Sequence, residues 1–282
     1  MPFRDPSVSV PPFSTGERDC VLKKAKRYST MRSGFIPKGE NTMNVVIITA
    51  AGTGTRTHQL VPKQFLNVND KPIIIYTMEC FQKHPEIDAI YVACLEGWEG
   101  FMDLYAKQFH ISKLKGIVRG GATGQESIEK VLEVVSRDCT PDDLIMVHDG
   151  SRPYVPQQVI TDSIRVCRAH GNAVAAIDTK EAMLQTEDKI KSVISIDREI
   201  LYRTQTPHTM PLGAMLDLHR EAKEKGITGS VATCTLLIEC GYTVWFSRGS
   251  DLNFKITSQE DLMIFRALVA VMDKMNLEEN QE

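Results

Sequence analysis

A short apolar run near residue 45 constrains the fold more than any other feature of the sequence. Residues 45–48 read Val-Val-Ile-Ile, and a loop with two glycines begins a few positions later. A strand without a polar face is covered on both sides, which is typical of a parallel sheet between two layers of helices. The order of apolar run, loop and helix recurs along the chain. It predicts an α/β fold with a mostly parallel sheet.

The repeated pattern places the other elements of this Rossmann-like sheet. Further buried strands are predicted over residues 87–95, 143–148 and 173–177, with a short strand just before Gly120, and helices over residues 71–84, 125–137 and 156–170. Capping-box patterns at residues 257–261 predict the start of a last helix. The pattern breaks between residues 178 and 209, where residues 189–196 alternate like a strand with two different faces. We expect a projecting β-arm there.

The ends of the chain differ from its middle. Residues 1–43 are rich in proline and serine and carry a charge of +4, against −3 for the whole chain. We expect an N-terminal extension over 1–43, a domain over 44–275 and a tail over 276–282. The extension is interpreted as a flexible segment. A transit peptide and a natural start at Met43 are the alternatives, although four acidic residues weigh against a transit peptide.

Composition excludes several classes of protein. A net charge of −3 is too balanced for a general nucleic-acid binder, and no run reaches the roughly 18 apolar residues of a membrane helix. Seven scattered cysteines, with no C-x-x-C pair, indicate thiols in a reducing compartment. We therefore expect a cytoplasmic protein with no disulfide, no structural zinc, and neither nucleic acid nor membrane as a partner.

The loop after the first strand is suited to a phosphate group. Ala51, Gly52 and Gly54 allow a ligand to approach the backbone closely, and Arg56 and Lys63 add two cations. This pattern favours a triphosphate, and a solvated basic turn is the alternative. The dinucleotide fingerprint lacks its third glycine and its acidic ribose ligand, which makes an NAD(P)-linked reductase the least favoured interpretation.

Three later segments carry similar signals. Gly121 and Ser127 lie where a strand turns into a helix and could hold a base or ribose, although a plain helix start explains them too. Asp149 ends a buried strand and suits Mg²⁺ or a ribose hydroxyl, with Arg152 as its partner or as a phosphate ligand. A structural ion pair between these two is the alternative. Lys255 gains interest only in combination with the other loops.

Taken together, these motifs resemble the cytidylyltransferases that make CDP-linked polyols. The shared order is A-A-G-x-G-x-R, P-K-Q, G-G, V-H-D-x-x-R-P, D-R with T-P, and N-x-K-I-T, which covers residues 44–268. The best-known branches act on 2-C-methyl-D-erythritol 4-phosphate, in isoprenoid synthesis, and on ribitol 5-phosphate, in cell-surface polymers. The resemblance implies transfer of CMP from CTP to one of these polyol phosphates, with Mg²⁺, in a homodimer whose arm reaches the second subunit.

The resemblance also implies roles for single residues. The cations that would bind the CTP phosphates and the transition state are Arg56, Lys63 and Lys255. The residues that would frame the nucleotide are Ala51, Gly52, Gly54, Gly121, Ser127 and Asp149. The substrate side would contain Arg152, with Arg198 and Thr206 holding the polyol phosphate, and Asp149 would also face the metal.

The sequence departs from the methylerythritol branch mainly on the polyol side. Ala122 and Gly124 replace an acidic residue and an arginine, and Ser230 lies where an acidic stretch is usual. Gly150 and His208 are further changes. They affect the identity of the substrate more than the reaction. The alternatives are a sugar-phosphate nucleotidyltransferase that uses another nucleotide and a non-catalytic nucleotide-binding homologue.

Overall fold

The computed structural model describes residues 42–52 and 61–279. The strands in these residues are β1 (Asn44–Ala50), β2 (Asn67–Val68), β3 (Lys71–Pro72), β4 (Ala89–Cys94), β5 (Leu114–Arg119), β6 (Leu144–Asp149), β7 (Ala173–Asp178), β8 (Met183–Gln185), β9 (Ile194–Ile196), β10 (Tyr202–Pro211) and β11 (Phe246–Arg248). The helices are α1 (Ile73–Gln82), α2 (Glu99–Gln108), α3 (Gly124–Val135), α4 (Gln157–His170), α5 (Leu212–Glu224), α6 (Thr233–Cys240) and α7 (Gln259–Glu279).

The central sheet is mostly parallel, as predicted. Its order among the described strands is β11-β7-β10-β6-β1-β4-β5. Strand β1 pairs in parallel with β4 and β6, whereas β10 runs antiparallel between β6 and β7. Thr49 is in register with both Ala93 and Asp149. The loops that follow β1 and β6 therefore begin at the same edge of the sheet.

Both faces of the sheet are buried, which explains the apolar run in β1. Val46 and Ile48 pack on one face with residues of α1 and α4. Val45 and Ile47 pack on the other face with residues of α3, α5 and α6. All four side chains are fully buried. Burial on both faces explains why residues 45–48 include no polar side chain.

The helix boundaries follow from local capping. Helix α1 begins at Ile73 rather than at residue 71, because Lys71 and Pro72 form a short strand with β2. Helix α4 ends at Gly171, which has a φ of 86°, as a left-handed cap requires. At the start of α7 the Ser258 hydroxyl accepts from the Asp261 amide, and the Asp261 carboxylate accepts from the Ser258 amide. This is the predicted capping box.

The segment 178–209 contains a small sheet of its own. Strands β8 and β9 pair with each other and not with the central sheet. Strand β9 is shorter than the predicted 189–196, because the Asp188 carboxylate accepts from the amides of Ile190 and Lys191 and holds a turn there. The rest of the segment enters β10. That residues 178–209 project as an arm stays a prediction.

Several broader predictions concern the ends of the chain and its environment. Residues 1–41 lie outside the described residues, and the domain limits at 44 and 275 stay predictions. Helix α7 continues to Glu279, inside the segment predicted as a tail. None of the described helices combines the length and the hydropathy needed to cross a bilayer. The six cysteines among the described residues are free thiols.

Candidate active site

A cavity of about 400 Å³ opens at the carboxyl edge of the sheet. It is lined by residues that follow β1, β5 and β6, where ligands bind in sheets of this type. Its volume is in the range of small-molecule sites. Nine of the predicted site residues line it: Ala51, Gly52, Lys63, Gly121, Ser127, Asp149, Arg152, Thr206 and Lys255.

A carboxylate between two cations forms the charged part of the cavity. Asp149 Oδ1 lies 3.1 Å from Lys255 Nζ, and Asp149 Oδ2 lies 3.0 Å from Arg152 Nε. Burial alone would raise the pKa of Asp149, but Lys255 and Arg152 hold that pKa well below its ordinary value. Asp149 is therefore ionised at neutral pH. The pair predicted from sequence exists, and Lys255 is its third member.

The segment around Lys255 also positions Lys63. Lys63 Nζ donates to the Ile256 carbonyl at 3.1 Å, and the Ile256 amide donates to the Ser151 carbonyl at 2.9 Å. The buried Gln64 side chain donates from Nε2 to the carbonyls of Ala50 and Gly52, at 2.8 and 3.0 Å. These bonds connect the P-K-Q segment to the glycine loop on one side and to Lys255 on the other.

The loop after β5 is closed by its own side chains. The Ser127 hydroxyl accepts from the Gly121 amide at 2.9 Å and donates to the Thr123 carbonyl at 2.8 Å. Glu126 accepts from the Ala122 amide, and its own amide donates to Thr123. Ser127 thus shapes the loop that lines the cavity. Its predicted contact with the nucleotide stays a prediction.

Close packing explains Gly120, which joins β5 to this loop. A Cβ at Gly120 would lie 2.2 Å from the Ala51 Cβ and 3.3 Å from the Cys94 carbonyl oxygen. The loops that follow β1 and β5 therefore touch at Gly120, where a side chain would not fit.

Thr206 is positioned by a buried histidine. Its hydroxyl accepts from the Asp149 amide at 3.1 Å and lies 3.0 Å from His148 Nδ1. His148 Nε2 lies 3.3 Å from the Arg152 carbonyl. Burial lowers the pKa of His148 to about 3, so the ring is neutral and can accept from Thr206. Thr206 and His148 thus fix the Asp149–Arg152 turn, and the predicted contact of Thr206 with the polyol phosphate stays a prediction.

Three predicted residues are not brought to this cavity. Gly54 and Arg56 lie outside the described residues. Arg198 lies in a 3-10 turn, more than half exposed, where its Nη1 donates to the Lys180 carbonyl at 2.7 Å. It does not line the cavity of its own chain. Its predicted contact with the polyol phosphate stays a prediction.

Two positioning residues had been given no role by the sequence interpretation. Asn253, fully buried, donates from Nδ2 to the Thr206 carbonyl at 2.7 Å, and its own carbonyl accepts from Arg152 Nη1 at 2.8 Å. Gln205 donates from Nε2 to the Ser250 carbonyl at 2.8 Å. Asn253 is the first residue of the N-x-K-I-T motif and Gln205 precedes the T-P motif, so an amide side chain within or beside a recognised motif was the available signal.

Few side chains in the cavity could coordinate a metal ion. Among the described residues, no group of three or more histidine, cysteine, aspartate or glutamate side chains could hold a metal ion. Asp149 is the one carboxylate in the described lining of the cavity. Magnesium commonly binds through one or two carboxylates together with substrate phosphates. The residues therefore fit a magnesium ion that arrives with a triphosphate, and they do not form a closed metal cage.

The fold and this cavity define a nucleotidyltransferase. Solved structures with the same fold are a 4-diphosphocytidyl-2C-methyl-D-erythritol synthase from Anaerococcus prevotii (TM-score 0.68, 19% identity, 81% of this chain and 96% of that one) and the 2-C-methyl-D-erythritol 4-phosphate cytidylyltransferase of Thermus thermophilus (TM-score 0.65, 26% identity, 80% and 98%). The match spans nearly the whole length of both structures.

The sequence comparisons identify the family. Residues 44–271 match the profile of IspD, 2-C-methyl-D-erythritol 4-phosphate cytidylyltransferase, and the chain belongs to this family. A ribitol-5-phosphate cytidylyltransferase of Lacticaseibacillus paracasei is 38% identical over 80% of this chain and 97% of its own length. A 2-C-methyl-D-erythritol 4-phosphate cytidylyltransferase of Clostridium botulinum is 33% identical over 78% and 95%. The predicted family is confirmed.

Proposed function

We propose that the protein transfers CMP from CTP to a polyol phosphate and releases pyrophosphate. The observation that carries this proposal is the convergence of Lys63, Arg152 and Lys255 on one cavity, around the ionised carboxylate of Asp149. Two glycine-containing loops frame the same cavity, and membership of a cytidylyltransferase family supplies the nucleotide. Cations of this kind bind phosphate groups.

The chemistry requires positioning and charge stabilisation more than proton transfer. An oxygen of the polyol phosphate attacks the α-phosphorus of CTP, and the bond between the α-phosphorus and the bridging oxygen breaks. The electron pair leaves on pyrophosphate. A phosphate monoester has a second pKa of about 6 and is largely ionised at neutral pH, so the attacking oxygen needs no general base. Lys63 and Lys255 would offset the negative charge that builds up on the phosphates.

Asp149 prepares these cations before substrate binds. The carboxylate holds Arg152 and Lys255 close together, although the two positive charges repel each other. The phosphate groups of the two substrates then meet cations that are already in place. This lowers the entropic cost of ordering the Arg152 and Lys255 side chains on binding. Magnesium bound to the triphosphate and Asp149 would neutralise phosphate charge when present.

Ribitol 5-phosphate is the acceptor we favour. Its support is the higher identity to the ribitol-5-phosphate relative, 38% against 33% for the methylerythritol relative. The departures at Ala122, Gly124 and Ser230, which lie on the cavity wall, agree with a changed acceptor. 2-C-Methyl-D-erythritol 4-phosphate is the alternative outcome of the test.

We propose a homodimer that forms through the segment 178–209. Four of its apolar side chains are mostly exposed in the single chain: Leu184 (61%), Ile190 (88%), Val193 (98%) and Ile200 (75%). Exposed apolar side chains concentrated in one segment support a surface for a partner there. A second subunit here would explain how Arg198 reaches a substrate. Free thiols and a CTP requirement agree with a cytoplasmic enzyme, and neither nucleic acid nor membrane belongs to the proposal.

Product analysis tests the reaction. The protein is incubated with Mg²⁺, one nucleoside triphosphate and one polyol phosphate, and the products are identified by phosphorus NMR and mass spectrometry. We expect CDP-ribitol and pyrophosphate from CTP, with little product from UTP or GTP. Arg198→Ala should raise the KM for the polyol phosphate more than the KM for CTP. CTP binding without product from either polyol phosphate would contradict the proposed reaction.

A further inference from the structure

The cavity has a second, uncharged part beside the phosphate-binding cations. Four polar side chains line it, and each is at least nine-tenths buried: Gln125 (7% exposed), His208 (4%), His219 (6%) and Thr233 (4%). They come from four different elements, α3, β10, α5 and α6. Apolar side chains of Ile128, Val147 and Leu236 line the same cavity.

Each of the four side chains has one polar atom without a hydrogen-bond partner in the part of the chain that the structure describes. These atoms are Gln125 Oε1, His208 Nε2, His219 Nε2 and Thr233 Oγ1. A buried polar atom without a partner is costly, and folded proteins contain few of them. Four such atoms in side chains that line one cavity indicate that a ligand completes their hydrogen bonds.

The hydrogen bonds that these side chains already make determine whether their unpartnered atoms donate or accept. Gln125 Nε2 donates to the Ile227 carbonyl at 3.0 Å, which leaves Oε1 as an acceptor. His219 Nδ1 lies 3.1 Å from Glu129 Oε1, so Nδ1 carries the proton and Nε2 accepts. His208 hydrogen-bonds to the Gln205 backbone through its other nitrogen, and burial lowers its pKa to about 4. Its Nε2 also accepts.

Three hydrogen-bond acceptors and one hydroxyl group determine which kind of ligand can bind in this part of the cavity. Neutral acceptors repel phosphate and carboxylate groups, so this part of the cavity is unsuited to an anion. They require hydrogen-bond donors. Hydroxyl groups on a carbon chain meet this need, because they donate to the acceptors while the C–H groups between them contact Ile128, Val147 and Leu236.

Three of these groups lie on β10 or on the helices that follow it, α5 and α6, and Gln125, at the start of α3, reaches the same side through its bond to the Ile227 carbonyl. The loops that frame the nucleotide follow β1 and β5, whereas His208 lies on β10, on the other side of β6. Arg152 and Asp149 follow or end β6, between the two parts. We propose that Gln125, His208, His219 and Thr233 bind the hydroxyl groups of the polyol phosphate and thereby select ribitol 5-phosphate. This inference rests on the proposed function, and it adds specificity-determining residues to it.

Ribitol 5-phosphate can hydrogen-bond to more of the four unpartnered atoms than 2-C-methyl-D-erythritol 4-phosphate can. It has one more hydroxyl group, and it lacks the methyl group that would face acceptors. A methyl group against a buried acceptor leaves that acceptor unpaired, which is an effective way to reject an analogue.

The test removes one hydroxyl at a time while the shape is kept. In Thr233→Val the unpartnered hydroxyl is lost, whereas Thr233→Ser retains it. Thr235→Val is the matched control, because Thr235 lies on the same helix and does not line the cavity. Steady-state KM values are measured for CTP, for ribitol 5-phosphate and for its deoxy analogues, and thermal unfolding confirms that each variant folds.

We expect Thr233→Val to raise the KM for ribitol 5-phosphate about fivefold, the loss expected for one hydrogen bond, with the KM for CTP unchanged. At least one deoxy analogue should show no further loss with this variant, because the same hydrogen bond is missing already. Thr233→Ser and Thr235→Val should behave like the unaltered protein.

The outcomes separate this inference from the proposed function. An unaltered protein that forms no CDP-polyol from either acceptor overturns the proposed function and this inference with it. An active protein in which Thr233→Val changes the KM for CTP instead, or changes neither KM, overturns only the hydroxyl-binding assignment.

Discussion

Replacing Lys255 with methionine should separate catalysis from folding. Lys255 Nζ lies 3.1 Å from Asp149 Oδ1, and the side chain is 39% exposed at the cavity. Methionine keeps the length of the chain and removes the charge. Loss of one group that stabilises transition-state charge costs about 2.7–4 kcal/mol, which corresponds to a loss of about 10²–10³ in kcat.

The structural cost of the same change is much smaller. Asp149 keeps its ion pair with Arg152 at 3.0 Å, and the pair that is lost is partly exposed. A pair of this kind contributes about 1 kcal/mol or less, so the melting temperature should fall by no more than about 2–4 °C.

The assay is pyrophosphate release at saturating CTP and polyol phosphate, together with thermal unfolding. Lys225→Met is the matched control, because Lys225 pairs with Glu221 at a similar exposure, 44% and 23%, and neither residue lines the cavity. It should retain normal turnover. A kcat within tenfold of the unaltered protein would remove Lys255 from the mechanism, and so would a loss of activity that follows unfolding at the assay temperature.

Three further changes test other parts of the account. Lys63→Met should also lower kcat by about 10²–10³ with little effect on thermal unfolding, and near-normal turnover would remove Lys63 from the mechanism. Gly120→Ala should cost about 1–3 kcal/mol of unfolding free energy and raise the KM for CTP, because its Cβ would overlap Ala51, whereas Gly124→Ala, with open space around it, should leave the unfolding midpoint unchanged. Burial lowers the pKa of His208 from 6.5 to about 4, so the unfolded chain binds more protons between these values and stability falls as the pH drops through this range. His208→Gln should flatten that fall in urea unfolding, and an unchanged pH dependence would show that His208 does not cause it.

Burial determined which parts of the fold could be predicted. Strand β1 was predicted because both of its faces are covered. Helix α2 was not, because only Met102 and Ala106 among its side chains are buried. Strand β10 was missed because its buried residues include polar ones. Thr209, for example, is satisfied by Ser163 at 2.8 Å, a partner on another element that spacing cannot show.

In the site, the types of residue could be predicted from the sequence, whereas the orientations of their side chains could not. Parallel strands bring their carboxyl ends to one edge, so the glycine loops and Asp149 could be placed together from sequence. The contacts of Gln64 and Asn253 depend on side-chain orientation, which the sequence pattern does not contain. Arg198 was predicted at the substrate, and its distance from the cavity of its own chain follows from a separate small sheet rather than from any local signal.

The most direct test of the central claim is the rate of pyrophosphate release from CTP with ribitol 5-phosphate, compared with the rate with 2-C-methyl-D-erythritol 4-phosphate. We expect release when both Mg²⁺ and a polyol phosphate are present, with a higher kcat/KM for ribitol 5-phosphate. A higher kcat/KM for the methylerythritol ester would retain the reaction and contradict the assigned acceptor. No release with either compound would contradict the claim that these cations serve CMP transfer to a polyol phosphate.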